Sequence, residues 1–159
     1  MSDDFFDTAF SGYSFAEGFE MLWLAEDELG NVGGFVTAGS GPIPVASRSI
    51  DIYDLDDLVL DLLAVSEVTI SDEMKVGKYF CDIAAKGIFV YDWTAGYGGT
   101  ILPSDGYELV ARPVSPIKIT HLSPEFIMKS RIVKFAGADF TRDSKIIVAN
   151  YVPCFQPKY

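Results

Sequence analysis

Residues 20–38 read EMLWLAEDELGNVGGFVTA, and this stretch decides the predicted fold. Met21 to Ala25 is apolar and contains tryptophan, which favours a strand with a buried face. Gly30 and Asn31 then tolerate the positive φ angles that a short hairpin connection requires. Strand-forming residues resume over 32–38. The stretch therefore predicts two antiparallel strands joined by an acidic turn.

Two glycines, Gly33 and Gly34, interrupt the second predicted strand. Glycine inside a strand is typical of a bulge, or of a place where another backbone approaches closely. We expect the sheet to bend at this pair. The alternative is a ligand that approaches the chain where side chains are missing.

An amphipathic helix is predicted directly after Asp54, which is a good N-cap residue. Leucine and valine recur from Leu55 to Leu63 at the spacing of one helical face, and we expect that face to be buried. Asp57 and Asp61 fall on the opposite side. Leu60 also falls outside the apolar stripe and is a candidate for exposure.

The rest of the chain alternates between predicted helices and strands. A second helix is expected from the N-cap Ser71 to the terminator Gly87, and a third starts at Ser123, which precedes a proline. Strands are predicted at residues 50–53, 88–93, 107–112, 117–120, 132–135 and 145–152. Because the clearest strand pairs are adjacent in sequence, we predict an α+β fold. It has a mainly antiparallel sheet and two to three amphipathic helices packed on one face.

The length of 159 residues fits one domain, which we predict to span 1–159 with an irregular aromatic arm at 1–18. No apolar run reaches the ~18–20 residues that a membrane span needs. The first residues are acidic, whereas a signal peptide begins with basic ones. These features predict a cytoplasmic protein that does not associate with membranes.

The net charge of −11 is distributed unevenly. Residues 1–80 carry sixteen acidic and three basic side chains, a balance of −13, and residues 81–159 carry seven and nine, a balance of +2. A nucleic-acid binder needs a basic surface, so this class is excluded. The charge permits a basic protein partner, and ordinary solubility is the other interpretation.

The predicted partner surface combines the acidic hairpin turn with the acidic face of the first helix. Carboxylates would attract a basic protein such as a toxin, and an apolar residue among them would serve as an anchor. The residues of this surface are Glu26, Asp27, Glu28, Asp54, Asp57, Leu60 and Asp61.

An alternative site lies at the loop 94–106, which contains four glycines and one proline. A loop of this length is often functional, and aromatic residues beside it can line a small-ligand or enzymatic pocket. The residues of this pocket are Tyr91, Asp92, Trp93, Tyr97 and Tyr107. The other interpretation is that these aromatic residues belong to the core.

No catalytic or metal-binding set is predicted. His121 is the only histidine, and it is expected to help cap the helix at Ser123. The aspartates of residues 51–61 run into a helix, whereas a calcium loop needs a turn with glycine at its bend. We therefore predict no catalytic residues, no metal and no cofactor.

Several segments resemble parts of small acidic bacterial proteins, some of which are immunity proteins for bacterial toxins. The similar segments are residues 23–27, 30–32, 35–44, 87–92 and 107–113. The uneven charge and the absence of a catalytic set predict a non-enzymatic bacterial protein-binding domain, and the resemblance implies that its specific form is an immunity-type inhibitor. The similar segments are structural, so the resemblance implies no active-site residue.

Overall fold

The hairpin predicted from residues 20–38 forms the centre of a sheet. The computed structural model describes residues 21–47, 52–70, 77–94 and 104–155. The strands in these ranges are β1 (Leu22–Glu26), β2 (Val32–Val36), β3 (Ile43–Pro44), β4 (Val68–Ile70), β5 (Phe89–Trp93), β6 (Tyr107–Pro113), β7 (Val133–Lys134), β8 (Lys145–Ile146) and β9 (Cys154–Phe155). The helices are α1 (Ile52–Leu60), α2 (Lys78–Ala84) and α3 (Pro124–Ser130). Short 3-10 helices occupy Val45–Ser47, Ile119–His121 and Val148–Asn150.

The main sheet has seven strands in the described ranges, in the order β4-β6-β5-β2-β1-β7, and β8 also pairs with β6. The pairs β1–β2, β4–β6, β5–β6 and β6–β8 are antiparallel, whereas β1–β7 and β2–β5 are parallel. The α+β prediction is confirmed, with a mixed rather than purely antiparallel sheet. The parallel pairs arise because helices and loops separate β2 from β5 and β1 from β7, and such crossovers permit parallel pairing.

The described helices pack on one face of the sheet, as predicted. Val59 of α1, Ile83 of α2 and Phe126 of α3 join Leu24 and Val90 in one buried apolar cluster. Side chains of a strand alternate between the faces, so β1 sends Leu22 and Leu24 to this side and Trp23 to the other.

The face without these helices is built on a row of stacked aromatic rings. Trp23, Phe35 and Tyr91 lie beside one another on β1, β2 and β5. Their rings stack with centroid distances of 4.2 Å and 4.9 Å. Trp23 Nε1 donates to Tyr107 Oη at 3.2 Å, and Tyr107 Oη donates to the Pro42 carbonyl at 2.8 Å. This row fixes the register of the central strands, since one-residue slippage would send the rings to the opposite face.

The expected bend at the glycine pair is wrong. Residues of β1 and β2 pair without interruption from Leu22–Val36 to Glu26–Val32, and the register shift in the described sheet lies between β5 and β6, where Val90 pairs with Ala111 and Tyr91 with Leu109. A Cβ atom on Gly33 would lie 2.8 Å from the ring of Phe140. Gly33 is therefore a packing residue that leaves space for an aromatic ring.

Several predicted strands prove shorter or helical. Of the strand predicted at 50–53, residues 52 and 53 are helical, because α1 begins at Ile52, and residues 50 and 51 lie outside the described ranges. Residues 117–120 form one bridge, Asn31–Lys118, and then a 3-10 turn. The Nδ1 atom of His121 accepts the Lys118 amide at 3.1 Å and closes this turn, so the predicted capping role at Ser123 is wrong. The strand predicted at 145–152 ends at Ile146, because a 3-10 turn follows.

One predicted helix start is wrong and two other helix signals are confirmed. Asp54, predicted as an N-cap, lies inside α1, which begins at Ile52. The Ser123 hydroxyl accepts the Phe126 amide at 3.1 Å, and Pro124 is the first residue of α3. Gly87 follows α2 with a φ of +90°. The predicted arm at 1–18 and the predicted cap Ser71 lie outside the described residues.

We expect Gly33→Ala to lower the free energy of unfolding by about 1–3 kcal/mol, because the new methyl group overlaps the ring of Phe140. Urea denaturation measures the change. The matched test repeats the substitution in a Phe140→Leu background, where the smaller side chain should relieve part of the cost. An equal cost in both backgrounds would show that Phe140 is not the cause.

Candidate functional site

Asp27, predicted to lie on the exposed acidic surface, is fully buried (0% exposed). Its Oδ1 accepts the amides of Leu29 at 2.9 Å and Asn31 at 2.8 Å. Its Oδ2 accepts the Asn31 side-chain amide at 3.0 Å and the Phe140 amide at 2.9 Å. The surface prediction is therefore wrong for Asp27. A buried carboxylate is stable when donors satisfy it, and this one organises the turn.

The two glutamates of the hairpin turn remain closer to the surface. Glu26 is half-buried at the end of β1, and Glu28 is exposed. The Glu28 carboxylate accepts the Gly137 amide at 3.1 Å, and its own amide donates to the Ala138 carbonyl at 2.9 Å. The tip of the hairpin is thus fastened to the segment before Phe140 and does not project freely into water.

Helix α1 carries the remaining predicted carboxylates. Asp57 and Asp61 are exposed and lie one turn apart, since the Asp61 amide donates to the Asp57 carbonyl at 3.0 Å. The side chain of Asp54 lies outside the described part. Leu60 is half-buried and packs against the helix-side cluster, so it is not an exposed anchor. The helix therefore offers charge at its last turn without the predicted leucine.

The residues of the alternative pocket lie mostly in the core. Tyr91, Trp93 and Tyr107 are buried in the aromatic cluster, and Asp92 is half-buried. Burial raises the pKa of the phenols of Tyr91 and Tyr107 far above the ordinary value, so both rings act as neutral donors. Tyr97 lies outside the described residues. These aromatic side chains stabilise the sheet.

A concave site that the sequence reasoning missed opens on the helix side. It has a volume of about 730 Å³ and lies between the end of α1, the residues that follow β6, and α3; we call it the α1–α3 groove. Its volume falls within the range of roughly 300–1,000 Å³ that is typical of binding sites. The apolar residues that line it are Leu58, Leu62, Leu63, Val65, Pro116, Ile117, Leu122 and Phe126.

The groove exists because α1 ends earlier than its apolar pattern. The helix stops at Leu60, and Lys86 Nζ donates to the Leu62 carbonyl at 2.7 Å just beyond. Leu63, predicted on the buried stripe, is consequently 81% exposed, and Val65 is 53% exposed. The prediction for Leu63 is wrong, since a helical stripe buries only residues within the helix. In the sequence, the signal for the groove was that apolar residues continue past the last turn of α1.

Polar groups stand at the edge of the α1–α3 groove. Asp61 lines it, and so does an exposed ion pair between Glu125 and Lys129 at 2.7 Å. The hydrogen bond from Lys129 holds the pKa of the Glu125 carboxyl below its ordinary value. His121 also lines the groove, with its Nδ1 bonded to the backbone of its own turn. The arrangement suits recognition of a partner with apolar and charged groups.

Within residues 21–47, 52–70, 77–94 and 104–155, no three His, Cys, Asp or Glu side chains are grouped so that they could hold a metal ion. Among these same residues, no helix combines the length and apolar character required to cross a bilayer.

Asp56 differs from its acidic neighbours because it faces α2. Tyr79 Oη donates to its Oδ1 at 2.5 Å. Partial burial raises the pKa of the Asp56 carboxyl above its ordinary value of 3.8; the Tyr79 hydrogen bond opposes this rise, and the nearby Asp57 charge adds to it. The folded chain therefore binds this proton more tightly than the unfolded chain. The contribution of Asp56 to the free energy of unfolding therefore falls as the pH rises from 3.8 through the raised pKa.

We expect Asp56→Asn to be more stable than the wild type at about pH 7, because asparagine can still accept from Tyr79 without a charge to desolvate. The advantage should shrink towards about pH 4, where the wild-type carboxyl is increasingly protonated. Urea denaturation at both pH values measures it. Asp61→Asn removes the same charge from the exposed side and serves as the control. A gain in stability that does not change with pH would contradict the raised pKa of the Asp56 carboxyl.

We expect Asp27→Ala to lower the free energy of unfolding by about 3 kcal/mol or more, because buried amides lose their acceptor. Chemical denaturation measures the loss. Glu28→Gln is the matched control, since it changes a neighbouring exposed carboxylate, and should cost below about 1 kcal/mol. Equal costs for both variants would refute the organising role of Asp27.

A scan against protein-family models and searches of curated proteins and of solved structures found no match to this chain. The α1–α3 groove and the charges beside it are therefore the basis for the functional proposal. The resemblance to small bacterial immunity proteins stays a prediction.

Proposed function

We propose that this chain is a non-enzymatic protein-binding domain that recognises a basic protein partner through the end of α1 and the α1–α3 groove. One observation carries the proposal: Asp61, which directly follows the last residue of α1, is exposed and also lines the groove. A negative charge thus stands directly beside apolar surface. Protein interfaces combine these two features, charge for encounter and apolar contact for affinity.

The negative charge of this chain indicates a positively charged partner. The chain carries −11 in total, and its first 80 residues carry −13. A field of this sign accelerates the encounter with a positively charged protein and repels nucleic acid. Asp57 and Asp61 lie at the side of α1 where such a partner would first arrive. Their role is to raise the association rate more than the final affinity.

A specific form of this proposal is an immunity-type inhibitor of a basic bacterial toxin, acting in the cytoplasm. The resemblance of the hairpin and central-strand segments to immunity proteins supports it, together with the acidic charge. Inhibition would need only tight coverage of the toxin and no chemistry by this chain. The hairpin tip would contribute Glu28 at most, because Asp27 is buried.

The second candidate function is binding of a small ligand. The volume of the α1–α3 groove, about 730 Å³, favours it, since it would hold a drug-sized molecule. This candidate differs from the pocket predicted at residues 94–106, of which 95–103 lie outside the described residues. The exposed carboxylate at the rim makes a protein with basic groups the better occupant than an apolar molecule alone.

The test begins with affinity capture from the native host and continues with association rates of the captured protein. We expect a basic protein whose association slows by about tenfold or more between about 50 mM and 500 mM salt. Asp61→Lys should slow it by about three- to tenfold at low salt. Glu108→Lys makes the same change of charge on an exposed residue of β6 that does not line the groove, and should have a smaller effect.

Two results would contradict the proposal. An association rate that does not change with salt concentration would show that electrostatic steering does not act. Equal slowing by Asp61→Lys and Glu108→Lys would show that the total charge acts, and that the end of α1 is not the contact surface.

A further inference from the structure

We propose that the α1–α3 groove is the docking site for an amphipathic helical segment of the basic partner, with its apolar side in the groove and lysine or arginine beside it. This inference rests on the proposed function and specifies which part of the partner is bound. It is carried by three features: the exposed apolar rim of the groove, the hydrogen-bonded amides beside it, and the net negative charge of the chain.

The apolar rim is the first feature. Leu63 is 81% exposed and Val65 is 53% exposed at the border of the groove, and Ile117 and Leu122 lie within its lining. Large apolar side chains that adjoin a concave apolar surface are typical of interaction sites. An apolar row on a partner helix would cover Leu63 and fill the groove in one contact.

The backbone beside the groove is already hydrogen-bonded within the chain. The amides of Val65 and Ser66 both donate to the Ala85 carbonyl, at 2.8 Å and 3.1 Å. The Ile117 amide donates to the Gly87 carbonyl at 2.9 Å. Addition of a partner strand would need free backbone groups, whereas a helix satisfies its own backbone and binds through side chains. The groove therefore favours a helix.

The charge of the chain selects a basic helix. In the lining, Asp61 and Glu125 are acidic and Lys129 is basic, and Lys86 Nζ donates to the carbonyl of the lining residue Leu62. Residues 1–80 as a whole carry a balance of −13. A second copy of this chain would bring another −11 to the same place, and like charges oppose such an association. Positively charged side chains that flank an apolar row complement this rim.

The test uses three synthetic helical peptides of about 15 residues. The first has leucine on one face and lysine on the other, the second replaces lysine with glutamate, and the third replaces leucine with serine. Fluorescence anisotropy measures their affinities, and amide chemical shifts locate the contact. We expect the leucine–lysine peptide to bind at least about tenfold more tightly than either comparison peptide, and to shift the amides of residues 58–65 and 115–126.

Matched variants of the protein distinguish peptide binding in the groove from nonspecific binding to exposed apolar residues. Leu63→Ser should weaken the leucine–lysine peptide by about tenfold. Met128→Ser changes another exposed apolar residue (67% exposed), on α3 but outside the groove lining, and should change affinity by less than about twofold. Both sites are exposed, so both variants should fold. Equal weakening by the two variants would overturn the proposal.

Other outcomes identify a different occupant and would overturn the inference. Equal binding of the leucine–lysine and serine–lysine peptides would mean that charge alone acts. A dimer in sedimentation that Leu63→Ser dissociates would assign the groove to a second copy. An anionic apolar dye, anilinonaphthalene sulfonate, that displaces the peptide and binds more tightly would assign it to a small molecule.

Failure of the inference can be told apart from failure of the proposed function. A native partner whose association is slowed by Asp61→Lys and unaffected by Leu63→Ser would overturn helix docking and leave the proposed function standing. Leu63-dependent binding that is equal for the lysine and glutamate peptides would overturn the basic character of the occupant, and the proposed function with it.

Discussion

The structure depends on one buried carboxylate, that of Asp27. Its two oxygens hold the turn between β1 and β2 and also reach the amide of Phe140, 113 positions later in the chain. A charged group in the interior is tolerated only when donors surround it, so the donors and the charge specify one arrangement of the turn. The carboxylate thereby positions Phe140, whose ring packs on the aromatic row beside Gly33.

The two faces of the sheet have different tasks. One face is closed by aromatic rings in contact, including the stack of Trp23, Phe35 and Tyr91. The Trp23 indole and the Tyr107 phenol are hydrogen-bonded within it. The other face is covered by the described helices, and coverage by separate helices leaves space between them. The α1–α3 groove lies in that space, where α1 stops short of α3. The proposed recognition site thus lies on the face opposite the aromatic row.

Local signals were sufficient for much of the fold and insufficient for the site. The hairpin, the Ser123 cap and the Gly87 terminator follow from neighbouring residues, so the sequence predicted them. Asp27 appeared as a surface charge because one of its donors comes from Phe140, and spacing along the chain does not reveal such a contact. Leu63 appeared buried because periodicity does not show where a helix ends.

The hairpin turn and the groove are also joined directly. The Ile119 amide donates to the Gly30 carbonyl at 2.8 Å, and Lys118 Nζ donates to the Asn31 side chain at 2.8 Å. Residues 117–122 contribute three of the groove-lining side chains. This segment is therefore hydrogen-bonded to the turn that Asp27 organises. For protein engineering, the smallest unit that could be transplanted with the α1–α3 groove intact includes the β1–β2 turn, although that turn contributes no side chain to the groove lining.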